Sequence, residues 1–266
     1  MSIPSKVAIV VIRSEGMEVA RKLLQTCPSW KLWAPESCDI EEGENTYKGR
    51  FKDWLNDNFQ EYEGFVCIMA SGIVVRSLST MIPEKRKGPG VVVCDEFGRH
   101  AISLLGGHEG GANELAHEVA NKTGCVPIIT NGTESMKNYI LGVGCKKNAA
   151  YASLKELVSK IIKISGVMPD RIRAITTIDL KEKEPCILEL AKEFHWPLLI
   201  FTKNEINASK LKVSSSDFVE ENIGVPGVCE PTALMASHFG KLIVPKTTAN
   251  GCAVALVQEI TLMDRR

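Results

Sequence analysis

The sequence predicts an α/β protein with two domains, each built on a mostly parallel sheet that helices cover. Strand-like apolar runs alternate with helix-like amphipathic runs along most of the chain, an alternation typical of α/β folds. Most of these apolar runs are short and continuous, as required of a sheet that is buried on both faces. A length of 266 residues also fits two domains of ordinary size.

Nine apolar runs are predicted as strands: residues 7–12, 65–70, 91–95, 126–130, 140–145, 172–178, 198–201, 242–244 and 253–258. Apolar residues recur at helical spacing over residues 112–120 and 154–162, so each of these segments is predicted as a helix with one buried face. Ser153 and Glu156 have the spacing of a capping box, which predicts the start of the second helix.

A polar stretch at residues 132–138 separates two predicted strands and is the predicted domain boundary. We therefore expect one α/β domain over residues 1–137 and another over residues 138–266. The first contains an acidic cluster that we interpret as a solvated loop rather than a metal or partner site, made of Glu36, Asp39, Glu41, Glu42 and Glu44.

Composition argues against several classes of partner. Lys+Arg and Asp+Glu both number 32, whereas general binders of nucleic acid or membrane surfaces usually carry a basic excess. The longest charge-free runs have 12 residues, fewer than the roughly 20 of a membrane-spanning helix. We therefore expect no nucleic acid and no membrane among the partners. The first apolar run lacks a cleavage-site pattern and is predicted as a strand rather than a signal peptide.

The nine cysteines are scattered and contain no C-x-x-C pair, so the sequence predicts neither a zinc ribbon nor a thioredoxin-type site. Most are predicted to be small buried side chains in a reducing environment, which favours a cytoplasmic location.

Four glycines flank a His-Glu pair between a predicted strand and a predicted helix, and they are Gly106, Gly107, Gly110 and Gly111. Glycine lets a ligand approach the main chain, and the N–H groups of a helix start favour an anion or a developing oxyanion. His108 could act there as a base or bind a metal. The alternative is a plain turn with an exposed histidine. The pair is not H-E-x-x-H, so a metalloprotease site is excluded.

A second candidate lies where another strand ends in small residues and a helix begins. Ser71 is either the N-cap of that helix or a ligand contact, and no G-x-S-x-G motif surrounds it. Arg76 would hold a substrate carboxylate or form a surface ion pair. The basic residues 85–87 suit an anionic ligand, although such a tripeptide is usually a solvated loop.

In the second half, Gly142 and Gly144 resemble the opening of a dinucleotide fingerprint, but Lys147 replaces its third glycine. Lys146 and Lys147 could instead receive carboxylates. Cys145 is either a reactive thiol or a core thiol.

Two carboxylates of the second half are also candidates. Asp179 follows a predicted strand and is either an acid–base group or the N-cap of a helix before Pro185. Glu230 precedes Pro231 in a stretch rich in turn-forming residues, and Pro231 suits the first position of a helix.

Together these stretches resemble the cobalt-precorrin 5A hydrolase family (CbiG) of cobalamin biosynthesis. The matching motifs are A-S-G-I-V-V-R at 70–76, V-V-V-C-D-E-F-G-R at 91–99, I-S-L-L-G-G-H-E-G-G-A-N at 102–113, G-V-G-C-K-K at 142–147, T-I-D-L-K at 177–181 and G-V-P-G-V-C-E-P at 224–231. The motifs follow one another in the family's order, and the resemblance extends over residues from about 65 to 260. The resemblance implies a CbiG-like N-terminal domain and a CbiG/CobE-like C-terminal domain.

The resemblance implies a hydrolase of the anaerobic pathway. The family opens a δ-lactone on ring A of cobalt-precorrin 5A, and C20 leaves with its methyl group as acetaldehyde, giving cobalt-precorrin 5B. The substrate is an anionic cobalt-corrinoid intermediate. Its cobalt arrives with it, so the resemblance implies no cofactor and no protein-bound metal. Other candidate partners are neighbouring enzymes of the pathway and a second copy of the chain, as a homodimer.

The resemblance implies a set of catalytic residues and a set of substrate-binding residues in this sequence. His108 or Glu109 would act as base, and Asp179 or Glu230 would move a proton in the cleavage step, with N–H groups of residues 106–111 as oxyanion donors. The expected substrate-binding residues are Ser71, Gly72, Arg76, Arg99, Gly106, Gly107, Gly110, Gly111, Asn113, Gly142, Gly144, Lys146, Lys147 and Lys181.

This chain departs from the family in three places. Gly106 stands where members usually have serine, Lys146-Lys147-Asn148 stands where many have Arg-Arg and glycine, and the middle segment that many members carry is missing. The rival function is a non-catalytic protein that binds or channels a tetrapyrrole intermediate, because the same glycine and lysine features would serve it. A nucleotide-binding enzyme is a third possibility, disfavoured by the missing glycine.

Overall fold

A computed structural model describes residues 3–81, 88–211 and 224–260. The chain divides into two compact units, Met1–Asn131 (unit 1) and Gly132–Arg266 (unit 2). Each unit has a largely parallel sheet covered by helices, which confirms the α/β prediction. No helix in the described part of the chain is long and apolar enough to cross a membrane.

The sheet of unit 1 has seven strands in the order β3-β2-β1-β4-β5-β6-β7. The strands are β1 (Val7–Val11), β2 (Lys31–Pro35), β3 (Asn45–Tyr47), β4 (Gly64–Ile68), β5 (Gly90–Cys94), β6 (His100–Leu105) and β7 (Val126–Ile128). The first five are parallel, β6 runs antiparallel to β5, and β7 runs parallel to β6.

Helices cover both faces of this sheet: α1 (Met17–Thr26), α2 (Phe51–Asn58), α3 (Ser71–Leu78) and α4 (Ala112–Thr123). Alternate residues of β1 enter different cores: Ile9 packs with α1 and α4, whereas Ala8 and Val10 pack with α2 and α3. Both faces of β1 are therefore buried, which explains its continuous apolar sequence.

The reversed direction of β6 decides where the turns of unit 1 lie. The carboxyl ends of β1 to β5 form one edge of the sheet, called here the carboxyl edge, with the start of α3 and the β5–β6 turn. The glycine turn follows β6, so it lies at the opposite edge, the amino edge, where the parallel strands begin.

Unit 2 has five strands in the order β10-β9-β8-β12-β11. They are β8 (Tyr139–Cys145), β9 (Ile172–Ile178), β10 (Leu198–Phe201), β11 (Gly240–Ala249) and β12 (Cys252–Glu259). The strands β8, β9 and β10 are parallel, and β12 is antiparallel to both of its neighbours. Among the described residues β11 is an edge strand, and its pairing with β12 contains two register shifts.

The helices of unit 2 are α5 (Gly132–Ser135), α6 (Tyr151–Ser165), α7 (Pro185–Phe194), α8 (Lys203–Ala208) and α9 (Cys229–Met235). Helices α6 and α7 pack on one face of the sheet. Helices α8 and α9 pack on the other face, where Ile206 and Ala233 enter two smaller clusters.

Each of the nine predicted strand segments overlaps an observed strand, whereas β2, β3 and β6 were not among the predicted strands. The predicted capping box is wrong. Helix α6 begins two residues before Ser153, after Ala150, and the Ser153 N–H donates to the Ala150 carbonyl. A capping box is instead formed by Thr202 and Glu205 at the start of α8.

Candidate functional site

The glycine turn of unit 1 is closed by its own hydrogen bonds. The N–H groups of Gly110 and Ala112 both donate to the Gly106 carbonyl, at 3.0 and 3.1 Å, and the Gly111 N–H donates to the His108 carbonyl at 3.2 Å. The N–H groups of Gly110 and Gly111 are therefore engaged within the turn. In this conformation these two N–H groups are not available as oxyanion donors.

Close packing of two backbones explains three of the glycines. A Cβ on Gly90 would overlap the Gly110 carbonyl oxygen, and a Cβ on Gly110 would lie 2.8 Å from the Gly90 nitrogen. Gly106 has φ +69°, and a Cβ there would lie 2.9 Å from the Pro89 carbonyl oxygen. These glycines let the turn press against the start of β5, a role that the sequence analysis did not separate from ligand binding.

We expect Gly90→Ala to push the glycine turn away from β5 and to destabilise unit 1 by about 2 kcal/mol, as overpacking usually does. Thermal unfolding followed by circular dichroism measures the effect. Gly132→Ala is the matched control, because a Cβ at Gly132 meets no atom within 4 Å. Equal melting temperatures for the two variants would contradict the packing role of Gly90.

A cavity of about 540 Å³ adjoins the glycine turn at the amino edge of unit 1. Its lining consists of Pro4, Gln60, Tyr62, Glu63, Gly88, Pro89, His108, Glu109, Gly110 and Gly111. The hydroxyl and N–H of Ser5 each donate to Glu63 at 2.8 Å, and these bonds lower the pKa of that carboxyl. The cavity is thus lined by the imidazole of His108 and by two carboxylates, those of Glu63 and Glu109. The predicted basic residues 85–87 lie outside the described residues.

Asn113 holds the residue that precedes His108. Its side chain is 4% exposed, and its Oδ1 accepts a hydrogen bond of 2.8 Å from Ser103 Oγ. A Cβ on Gly107 would lie 3.0 Å from that Oδ1, and the Asn113 N–H donates to the Gly107 carbonyl. Asn113 Nδ2 has no hydrogen-bond partner among the described residues. Asn113 is therefore part of the turn's support and keeps one unsatisfied donor.

The other candidates of unit 1 lie at the carboxyl edge. Ala70, rather than Ser71, is the N-cap of α3, so Ser71 is the first helical residue. Arg76 is exposed and folds back over the first turn of α3, with Nη1 3.2 Å from the position of a Cβ on Gly72. A five-residue strand spans about 17 Å, so this group and the glycine turn are two separate groups.

Arg99 lies in the β5–β6 turn, where Asp95 organises the backbone. The Asp95 carboxylate accepts N–H bonds from Phe97, Arg99 and His100 at 2.9–3.1 Å, and Arg99 Nε donates to it at 3.1 Å. The predicted substrate contact Arg99 is therefore paired within its own turn. Burial opposes ionisation of Asp95, but the bonds from Arg99 and the backbone outweigh it and lower its pKa.

Asp95→Asn is expected to lower the free energy of unfolding by about 1–3 kcal/mol at neutral pH, because bonds to a charged acceptor are lost. A lowered folded-state pKa stabilises the folded state above the ordinary value of 3.8. The difference between the parent protein and the variant should therefore shrink as the pH falls below that value. Urea unfolding between pH 3 and 7 tests this, with the exposed Asp57→Asn as control; a constant difference would contradict it.

In unit 2 four candidates lie at the carboxyl ends of β8 and β9. Lys146 and Lys147 are exposed directly after β8, and the Lys146 N–H donates to the Gly251 carbonyl at 2.8 Å. Asp179 and Lys181 follow β9 in one short helical turn. Asp179 does not cap α7, because Glu184 is the residue before that helix. The structure therefore brings Lys146, Lys147, Asp179 and Lys181 to one edge.

Glu184 is a residue of this edge that the sequence analysis missed. It is 8% exposed, with Oε1 2.9 Å from Lys181 Nζ and Oε2 accepting the Asn148 N–H at 3.2 Å. The bond from Lys181 is the main reason that the pKa of Glu184 is lowered. Lys181 is thus paired within the protein rather than open to a ligand. The sequence contains one indication of this pairing: Lys181 stands three residues before Glu184, which directly precedes Pro185.

The remaining candidates of unit 2 lie inside the fold. A Cβ on Gly142 would overlap the Cys229 carbonyl, so this glycine permits α9 to pack on β8. Gly144 is buried beside Val228. Glu230 is 2% exposed, and its Oε1 accepts the Lys246 N–H at 2.7 Å. These three residues therefore face the interior, which corrects the expectation that they contact a ligand.

The cysteines are free thiols, and seven of the nine are buried. Cys145 is half-buried, with its Sγ 3.6 Å from that of Cys186, and burial raises its pKa to about 12. This shift disfavours the thiolate, so the structure supports the core-thiol interpretation of Cys145. No group of three or more His, Cys, Asp or Glu residues within the described ranges could hold a metal ion.

Two family models match the chain: Cobalamin synthesis G N-terminal over residues 53–134 and Cobalamin synthesis G C-terminus over residues 139–257. A protein of Priestia megaterium named cobalt-precorrin-5A hydrolase is 23% identical over 354 aligned positions, covering 94% of each chain. One of the same name from Salmonella typhimurium is 23% identical over 345 positions, covering 95% of this chain and 97% of the relative.

Among solved structures, CobE, a protein from the cobalamin biosynthetic pathway, is similar at 22% identity and a TM-score of 0.44, covering 47% of this chain and 92% of CobE. The alignments with the two bacterial relatives are longer than this chain, so those relatives contain residues that it lacks. The two family models together span most of residues 53–257 and meet near the division between the units. The chain therefore belongs to the CbiG family of cobalamin synthesis proteins.

Proposed function

We propose that the protein is a hydrolase that opens the ring A δ-lactone of cobalt-precorrin 5A and releases acetaldehyde, giving cobalt-precorrin 5B. Two bacterial relatives that carry the name cobalt-precorrin-5A hydrolase align over nearly their whole length. The observation that carries the proposal is the cavity at the amino edge of unit 1, where His108 and Glu109 lie together on the glycine turn. A histidine and a carboxylate beside a cavity can activate water.

In the first step, water attacks the lactone carbonyl carbon while His108 or Glu109 takes its proton. The carbon–oxygen bond of the lactone then breaks, which leaves a carboxylate on ring A and a hydroxyl on C20. The oxyanion of the tetrahedral intermediate needs hydrogen-bond donors. Since the N–H groups of Gly110 and Gly111 are engaged within the turn, we place those donors outside them.

In the second step, the C20 hydroxyl loses its proton and becomes the carbonyl of acetaldehyde. The bond between C20 and the macrocycle breaks, its electron pair stays with the macrocycle, and a proton is taken up there. We favour Asp179 over Glu230 for moving a proton, because Asp179 is only partly buried in the turn after β9 whereas Glu230 is buried.

Recognition of the substrate's carboxylates is assigned to exposed cations. Lys146 and Lys147 in unit 2 are exposed, whereas Lys181 and Arg99 are paired with Glu184 and Asp95. Arg76 is exposed too, but it lies at the edge of the sheet opposite to the glycine turn, so we do not assign it to this site. A charge-assisted bond contributes roughly 1.5–3 kcal/mol, so a few such bonds suffice for binding. Cobalt belongs to the substrate, and the proposal includes no further cofactor.

The test is an anaerobic incubation of the purified protein with cobalt-precorrin 5A, with trapping of aldehyde and mass spectrometry of the macrocycle. Acetaldehyde and a macrocycle that has gained water and lost acetaldehyde are the expected products. Binding of the macrocycle without aldehyde would replace the hydrolase with the tetrapyrrole carrier. If the protein neither binds the macrocycle nor releases aldehyde, both functions are refuted.

A further inference from the structure

We infer that Glu184 is a positioning residue that fixes the lysine-bearing turn after β8 in the shape that receives carboxylates of the substrate. This inference rests on the proposed function, because it takes Lys146 and Lys147 as binding residues. Glu184 was not among the predicted site residues. Lys181, which was predicted to contact the substrate, instead forms an ion pair with Glu184 inside the protein.

The geometry joins three elements through one carboxylate. Glu184 stands directly before α7, its Oε1 contacts Lys181 Nζ after β9 at 2.9 Å, and its Oε2 accepts the Asn148 N–H after β8 at 3.2 Å. The two oxygens thus hold different turns of the same sheet edge. A shift of Glu184 would therefore move both turns together.

Burial makes this contact specific. The side chains of Lys181 and Glu184 are 15% and 10% exposed, unlike the surface ion pairs that contribute little to stability. A buried carboxylate that loses its partner is costly, so the pair keeps one geometry. Water therefore does not readily replace the contact between Lys181 and Glu184.

Hydrogen bonds hold both ends of the turn. Asn148 follows Lys147 directly and has φ +58°, in the left-handed region that asparagine adopts more often than most other non-glycine residues. The bond from its N–H to Glu184 holds this conformation, and the Lys146 N–H bond to Gly251 holds the other end of the turn. The two exposed lysines are therefore carried on a segment fixed at both ends.

The expected effect falls on binding rather than on the chemical step, because the proposed base His108 belongs to the other unit. Glu184→Ala removes both contacts and should raise KM for aldehyde release about tenfold, with kcat within about twofold. Glu184→Gln keeps an acceptor for Asn148 but loses the charge, so a smaller rise is expected. The matched control is Glu182→Gln in the same turn, where Glu182 lies 3.8 Å from Lys183, and its KM should not change.

A double-mutant cycle separates the two possible roles of Lys181. If Lys181 acts through Glu184, Glu184→Gln/Lys181→Met should raise KM no more than the larger single effect. Additive increases would overturn this assignment, since Lys181 would then contact the substrate independently. An unchanged KM in a folded Glu184→Ala variant, or an equal loss of kcat and kcat/KM, would also overturn it.

Hydrogen exchange gives a readout that does not depend on turnover. Amide protection of residues 146–149 should fall in Glu184→Ala and stay at the parent level in Glu182→Gln. Unchanged protection would refute the positioning role whatever the substrate. If the parent protein releases no aldehyde, the proposed function fails, and a titration of the macrocycle replaces KM. A Kd that rises about tenfold would then still support the role of Glu184, and an unchanged Kd would refute it.

Discussion

His108→Ala should lower the turnover of aldehyde release by about 10²–10⁴-fold, the usual contribution of a positioned general base. His108 lies on the glycine turn, which is held by its own hydrogen bonds and by contact with the start of β5. Removing the imidazole should therefore leave the turn in place. KM should change much less than kcat, because the proposal assigns binding of the substrate's carboxylates to exposed cations other than His108.

His195→Asn is the matched control for this experiment. His195 is an exposed residue at the end of α7 with φ 53°, a conformation that asparagine also tolerates, so turnover should be unchanged. Near-parent turnover in His108→Ala would exclude His108 as the base. A large loss in Glu109→Gln alone would then assign that role to its neighbour.

Gly142→Ala should have the largest effect on stability, about 3 kcal/mol or more, and should show in urea unfolding of the full chain. An added Cβ would overlap the Cys229 carbonyl and lie 2.9 Å from Cys229 Cα. Backbone atoms of a packed helix cannot move aside as the end of a flexible side chain can. Helix α9 would therefore have to shift away from β8.

Gly144→Ala tests whether the effect is specific to the contact. The same added atom at Gly144, two residues along β8, would meet Val228 at 3.8 Å, an ordinary van der Waals distance. This variant should unfold within about 1 kcal/mol of the parent protein. If both variants lost the same stability, the close approach of α9 to Gly142 would not explain the loss.

The sequence was sufficient for the fold class because several strands are buried on both faces. The five residues of β1 are all buried and all apolar, so the pattern is visible without a structure. The strands β2 and β3 escaped prediction because their burial is incomplete: Lys31 in β2 is exposed, and β3 has three residues at the sheet edge. The strand β6 was not predicted because it is only partly buried, so its sequence lacks the continuous apolar run of a strand that is buried on both faces.

The candidate site could be predicted less completely, because a glycine has the same sequence signature in a ligand site and in a packed backbone. Gly142 has no room for a Cβ because of Cys229, which is distant in the sequence, and Gly110 has no room for one because of Gly90. Similarly, the charge of Lys181 was visible, but its pairing with Glu184 depends on how the turns meet. The direction of β6 could not be predicted from the sequence either. Because β6 runs antiparallel to β5, His108 and Arg76 lie at opposite edges of the sheet.

The edge position of β11 has a consequence for self-association. A ten-residue strand at a sheet edge can pair with a strand of another chain and so start aggregation. Pro245 has no N–H to donate, and the register shifts on both sides of Val244 bend the strand away from a flat template. Lys241 adds an exposed charge. Substitutions that straighten this strand would therefore lower solubility even where they leave the folded chain stable.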